Sequence, residues 1–292
     1  MWIRFVANGE AAADEELRRL VADLRGRNVK VDVRPTWEDG DGHRLAREAA
    51  REGVDLVVAC GGDGTLHEVV NGVMKEDKSP VLAGLPYGTG NDFLSALGIE
   101  GGPRQFGRWL DTSPRQIDLG RVGDHYFLNM MTVGVGAEVT AEASQPMKSA
   151  VGSLAYFLRA IPAALQRETF DVSVESPDLQ WEGESAFLFV GNGPQAGGGW
   201  RLCPAAMLDD GLLDLVLVPE MPWTEILGGV RELVDAEQPG DYGGILYRQS
   251  DRLELRFAQE VPMNLDGEPR PARELDVVVE PGAIRFLVPE SL

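Results

Sequence analysis

"DLVVACGGDGTLHEVV", residues 55–70, decides the fold. Leu56 to Cys60 is an unbroken apolar run of strand length, the pattern of a strand buried on both faces. It stops at Gly61, Gly62, Asp63 and Gly64, after which Thr65 reads as the cap of a helix over Leu66 to Val73. Strand, glycine turn and helix in immediate succession form the unit from which parallel sheets are built. The same alternation extends to both sides. Residues 2–7, 29–35 and 80–86 read as further strands, and residues 14–26 and 41–53 as helices that Gly26 and Gly53 stop. The first third is therefore expected to be an α/β domain with a parallel sheet, whose ligands sit beyond the carboxyl ends of the strands.

After "IDLGRV" (117–122) the pattern changes. Short runs rich in Val, Phe, Leu and Thr recur between Gly and Pro residues, an all-β signature that predicts a sandwich. Helical insertions are expected near 150–167 and 222–237. The domains are placed at 1–123 and 124–283, with the tail 284–292 as a possible addition to the first.

Composition narrows the function classes. The 292 residues carry a net charge of −20, which argues against general nucleic-acid binding and against electrostatic adsorption to anionic lipid. Residues 127–137 and 153–165 are apolar but fall short of the roughly 20 residues that span a bilayer, and the start of the chain lacks the long apolar core of a signal peptide. A chain without a transmembrane segment, working in the cytoplasm, is expected. Cys60 and Cys203 make no disulfide framework, and His43, His67 and His125 show no metal-ligand spacing. "GNGPQAGGGW" (191–200) reads as a flexible loop.

The glycine turns carry the chemistry. Gly61, Gly62 and Gly64 let a ligand approach the backbone, and the following helix N-terminus favours phosphate. The Walker-type lysine is missing. In its place stands Asp63, which would repel a polyphosphate unless a divalent cation such as Mg²⁺ lay between them. A plain tight turn with Asp63 as a local acceptor is the alternative. "LPYGTGNDF" (85–93) repeats the device one strand later, with Thr89 as a hydroxyl donor and Asp92 as a second carboxylate or an N-cap. Asp118 of "IDLG" adds a third carboxylate. In "NLDGEP" (264–269), Asp266 and Glu268 are expected at the tip of a turn, either as an exposed acidic turn or as catalytic carboxylates.

"GGDGT", "LPYGTGND", "IDLG", "GNGPQAGGGWRLCPAAMLDDGLLDL" and "NLDGEP" together resemble the diacylglycerol-kinase catalytic-domain family, in particular bacterial lipid kinases of the YegS type. The resemblance runs from residue 36 to residue 269. It implies a nucleotide-binding α/β domain like that of NAD kinases, a β-sandwich domain, and an active site in the cleft between them. It also implies transfer of the ATP γ-phosphoryl group to a lipid hydroxyl, of phosphatidylglycerol or diacylglycerol. Thr36, Gly62, Asp63, Gly64, Thr65, Leu66, His67, Glu68 and Thr89 would contact ATP. Asp63, Asp92 and Asp118 would hold the catalytic Mg²⁺ through water. The backbone carbonyls of Met207 and Leu212, with the Asp210 carboxylate, would hold a structural Mg²⁺ or Ca²⁺, where an ordinary Asp-Gly turn is the alternative. Glu268 would be the general base, assisted by Asp266. His67 departs from the asparagine common at its position.

Other readings remain open at this level: an NAD kinase using the same first loop, or a nucleotide-binding protein without catalysis. The segment 147–165, with Lys148, Arg159 and bulky apolar groups, is expected either to line the lipid site and touch a membrane transiently or to pack on the β domain. The oligomeric state is not legible.

Overall fold

The computed structural model describes residues 1–134 and 169–289, so the segment 147–165 lies outside the described residues. The chain divides into two compact units, residues 1–117 with 282–292 and residues 118–281. The division falls inside the strand Arg115–Val122, whereas the sequence pattern changes at Gly123.

The first unit alternates strand and helix: β1 (Trp2–Ala7), α1 (Gly9–Ala13), α2 (Glu15–Gly26), β2 (Lys30–Pro35), α3 (Asp41–Glu52), β3 (Leu56–Gly61), α4 (Asp63–Val73), β4 (Val81–Pro86), α5 (Asp92–Ala96) and α6 (Pro103–Trp109). β1 pairs in parallel with β2 and β3, and β3 pairs in parallel with β4. The order β2-β1-β3-β4 reverses direction between β1 and β3, a topological switch point of the kind at which open α/β sheets bind ligands. Every residue of β3 is buried, which is why its sequence is an unbroken apolar run. α3 packs on α4, while α2 packs on α6.

β1 carries a charge into this core. Arg4 is 1% exposed and is balanced by Asp32 Oδ2 at 2.8 Å and Glu52 Oε2 at 2.6 Å. Buried cations require such pairing.

The second unit continues with β5 (Arg115–Val122), β6 (His125–Phe127), β7 (Met130–Val133), β8 (Phe170–Ser176), β9 (Leu179–Gly191), β10 (Leu213–Pro219), α7 (Trp223–Val234), β11 (Gly240–Tyr242), β12 (Ile245–Ser250), β13 (Arg252–Leu265) and β14 (Glu268–Phe286). The pairings among β7 to β13 are antiparallel. β9 and β13 are long enough that each pairs with β7 along one stretch and with β8 along another, so these four strands close into a ring of pairings. A break in register between Arg256 and Val261 lets β13 turn from β8 to β7. Phe127, Val190 and Leu265 belong to one apolar core of this unit, and Phe189, Val216 and Val230 to a second, against α7.

β14 begins in the second unit and ends in the first, where Phe286 pairs in parallel with Leu82 of β4.

Three local expectations need correction. The helix after the first glycine turn starts at Asp63, with Gly62 as its N-cap, and not after Thr65. "YFLNMMTV" is not one strand but β6 and β7, broken at Leu128 and Asn129. α2 ends at Gly26 as expected, but the residue that takes the left-handed φ after it, 66°, is Asn28 and not the glycine.

Candidate functional site

The two glycine turns meet. A Cβ on Gly88 would lie 2.3 Å from the Gly62 Cα, and one on Gly62 would lie 3.0 Å from the Gly88 Cα. Only glycine at both positions permits this backbone-to-backbone approach. Tyr87 N donates to Gly61 O at 3.0 Å, which carries the β3–β4 ladder into the turns. Asn91, in the left-handed region at φ 52°, closes the second turn: its Oδ1 accepts Gly88 N at 3.1 Å and its Nδ2 donates to Gly88 O at 2.7 Å.

Asp63 joins the two turns. Its carboxylate accepts the backbone N–H of Asp92 at 3.0 Å and of Phe93 at 3.2 Å. A carboxylate from the end of β3 thus caps the start of α5, where unpaired amides and the helix dipole favour negative charge. Asp92 is buried in the first turn of α5, so Asn91 rather than Asp92 occupies the N-cap.

Glu68 binds a third loop to this edge. Its Oε1 accepts Gly40 N at 2.9 Å and its Oε2 accepts Gly42 N at 2.7 Å, which anchors the start of α3 to α4. Both oxygens serve this anchor, so Glu68 positions the loop that carries Gly40 and Gly42. Thr36 stands on the anchored loop, with its N–H donating to Ala7 O at 2.8 Å. Beside it, Trp37 is 88% exposed.

The remaining expected nucleotide residues divide. Gly64 and Thr89 are exposed, and Gly62 and Thr65 are half-buried. Leu66 and His67 are buried, with His67 beside Asn71 Nδ2 at 3.4 Å. Helical periodicity places them there, since Leu66, Val69, Val70 and Val73 share the core face of α4.

Asp118 keeps different company from Asp63 and Asp92. It belongs to the second unit, is 3% exposed, and holds the 208–212 loop. Its N–H donates to Leu208 O at 2.8 Å and its Oδ2 accepts Gly211 N at 2.7 Å. Asp210 Oδ1 accepts Leu212 N at 3.0 Å, and Met207 is exposed. Partial burial pushes the Asp210 carboxyl up, the charges of Asp118 and Asp209 add to this, and the Leu212 N–H opposes it. A bound cation would relieve that repulsion.

Asn192 closes the same corner, fully buried, donating from Nδ2 to Asp118 O at 3.0 Å and Leu128 O at 2.8 Å. Its Oδ1 has no hydrogen-bond partner. Carboxylates and an orphaned amide oxygen are the donor chemistry of Mg²⁺ or Ca²⁺. Even so, among the described residues no group of three His, Cys, Asp or Glu side chains is arranged to hold a metal directly. The start of the 191–200 stretch is therefore a fixed structural corner instead of a flexible loop. Its later glycines, Gly197, Gly198 and Gly199, all take positive φ.

Asp266 is not displayed at the turn tip. Its carboxylate accepts Leu128 N at 2.6 Å, and Asn129 N and Met130 N at 2.9 Å each. These bonds create the break between β6 and β7. Asp266 (φ 48°) and Gly267 (φ 106°) form the two-residue hairpin between β13 and β14, and Gly267 N donates to Asn264 Oδ1 at 2.6 Å. Glu268, the next residue, is exposed. Asp266 is thus an anchor that orients the turn, and Glu268 is the carboxylate the turn presents.

Asn8, Asp41, Asn91 and Asn192 were missed in the sequence. Asp41 accepts Trp37 N at 2.8 Å, and that amide with Arg44 holds its carboxyl below the usual range. Asn8 caps α1 from the end of β1 through Ala11 N at 2.9 Å. Both stand at strand-to-helix junctions, where Asn and Asp are the expected capping types.

Residues 3–122 match the model of the diacylglycerol kinase catalytic domain, and residues 129–288 match that of the YegS C-terminal NAD kinase beta sandwich-like domain. A Pseudomonas putida protein described as "Probable lipid kinase YegS-like" is 39% identical over 284 residues, covering 97% of this chain and 94% of its own. A Pseudomonas aeruginosa protein of the same description is 40% identical over 287 residues, covering 98% and 94%. Among solved structures, a putative diacylglycerol kinase from Bacillus anthracis superposes with a TM-score of 0.80 at 22% identity, covering 99% of this chain and 96% of that one. That likeness concerns the fold alone.

Proposed function

Because the chain belongs to the YegS-like branch of the diacylglycerol-kinase catalytic-domain family, we propose that it is an ATP- and Mg²⁺-dependent lipid kinase. It would transfer the γ-phosphoryl group to the hydroxyl of a lipid, phosphatidylglycerol or diacylglycerol, in phospholipid metabolism. The observation that carries the reading is the contact of the two glycine turns at Gly62 and Gly88, with Asp63 fixed across it. This bare backbone, bordered by the starts of α4 and α5, suits a triphosphate.

In this reading the backbone of Gly62 to Thr65 and the Thr89 hydroxyl bind the phosphates. Thr36 and the exposed ring of Trp37 stand where a base could stack. Asp63, Asp92 and Asp118 would hold the catalytic Mg²⁺ through water, and the ion when bound would neutralise charge on the phosphate oxygens. The 207–212 loop holds the structural cation, Mg²⁺ or Ca²⁺. Glu268 accepts the proton of the attacking lipid hydroxyl, and Asp266 fixes the turn from which Glu268 reaches it. Among the described residues no helix is long and apolar enough to cross a membrane, so the lipid would be met at the cytoplasmic surface of the bilayer.

The test is mass spectrometry of products after incubation with total bacterial lipid, NAD, ATP and Mg²⁺. A new phosphorylated lipid, abolished by chelation, is expected. Phosphorylated NAD alone would move the chain to the NAD kinases. Absence of any phosphorylated product would remove catalysis, and products and nucleotide affinity that survive chelation would remove the metal.

A further inference from the structure

The second unit encloses a cavity of about 240 Å³ beside α7. β9 contributes Phe187 and Phe189, α7 contributes Val230 and Leu233, and the 199–202 loop contributes Trp200 and Arg201. Protein interiors pack as densely as organic crystals, and voids larger than a water molecule are few. An apolar cavity of about 150 Å³ already takes up a benzene-sized guest. At the roughly 30 Å³ that a water occupies in the liquid, this one would hold about eight chain carbons.

Among the described residues the lining is aliphatic and aromatic with a single charged member, Arg201. Arg201 is exposed and donates to Pro204 O at 2.9 Å. Among the described residues no carboxylate pairs with it, although the chain carries 47 acidic residues against 27 basic ones. An apolar hole with a lone cation on its wall complements a ligand that is aliphatic at one end and anionic at the other.

We infer that this cavity takes an acyl chain of an anionic phospholipid, with Arg201 pairing with the phosphate of the head group. The inference deepens the lipid-kinase reading and rests on it for the class of ligand. Three adjacent glycines at positive φ, Gly197 to Gly199, shape the loop that carries Trp200 and Arg201 over the cavity. A neutral lipid would leave Arg201 without a role, and a second copy of the chain would bring acidic surface without an aliphatic tail.

Trp200 is a built-in reporter. Dioctanoyl phosphatidylglycerol and dioctanoylglycerol, monomeric and with brominated chains, are titrated without ATP while tryptophan emission is read. Bromine in the cavity should quench emission in the wild-type protein, and Trp200→Phe should remove most of that quenching. Arg201→Gln should weaken the charged lipid about tenfold, the worth of one charge-assisted contact, and leave the neutral one unaffected. Val230→Phe, which fills the cavity, should weaken both by at least as much. Equal wild-type affinity for the two lipids, quenching that survives Trp200→Phe, or full affinity in a folded Val230→Phe protein would each overturn the proposal. The quenching arm needs no filled variant, so misfolding of Val230→Phe does not spare the idea. Phosphoryl transfer is scored separately: transfer with an uninvolved cavity sinks only this inference, and cavity binding without transfer sinks only the kinase reading.

Discussion

Asp63 and Asp266 are both aspartates in glycine turns, both have carboxylates bonded to backbone amides of a distant segment, and they leave different things behind. Asp63 takes two amides at the start of α5, beside a turn without side chains. Asp266 takes three amides at the break between β6 and β7, and the exposed carboxylate of the turn belongs to its neighbour Glu268. In the first unit the clamp and the candidate ligand-binding group are one residue. In the second they are two. A carboxylate's place in a motif therefore does not reveal whether it acts on a ligand or holds the backbone that does.

The strongest break of this contrast is Glu268→Gln. Turnover should fall about 10²-fold or more with nucleotide affinity retained, measured by initial rates and calorimetry. Near-normal rates would return the catalytic role to Asp266. Asp266→Asn should act on folding first, costing about 2 kcal/mol because an amide group would face N–H donors, and lowering the melting temperature. A wild-type melt would show that the anchor carries no stability.

Gly88→Ala tests the other turn. Its new Cβ would meet the Gly62 backbone at 2.3 Å, so nucleotide affinity should drop about tenfold while the lipid-binding behaviour of the second unit persists. Undiminished affinity would separate the glycine contact from phosphate binding.

The mildest effect concerns Asp214, which unlike Asp63 and Asp266 is fully buried. Burial pushes Asp214 up to about 7, against hydrogen bonds from Tyr247 at 2.5 Å and from Gln249 at 3.3 Å. A carboxyl raised in the folded state favours folding most below its unfolded value near 4, and this contribution is lost as pH rises through 7. Melting temperature should thus decline from pH 4 to 8 by more in the wild type than in Asp214→Asn. Parallel pH profiles would contradict the assignment.

What the sequence revealed follows the range of the interactions. β3, its glycine turn and α4 were legible because burial and helical spacing are local signals. The start of α4 was misplaced by three residues, because Asp63 spends its carboxylate on α5 instead of capping its own helix. α1 and α6 went unread, although Asn8 and Pro103 were local markers of their starts. The break between β6 and β7 was invisible, since the carboxylate that causes it lies 138 residues away from Leu128. The pairing of Asp118 with Gly211, across 93 residues, was equally out of reach, and so Asp118 was grouped with Asp63 on motif order alone.

The last strand has a consequence for biosynthesis. Phe286 stacks edge-on against Phe93 at 5.5 Å, Leu287 N bonds Leu82 O at 2.8 Å, and Val288 O accepts the Thr112 hydroxyl at 3.2 Å. A ribosome releases residues 1–117 with the rim of β4 still bare, and at 5–20 residues per second roughly 8 to 33 s pass before residues 282–289 arrive to cover it. During that interval the nascent first unit exposes an apolar strand edge, a natural client for a chaperone waiting at the exit tunnel.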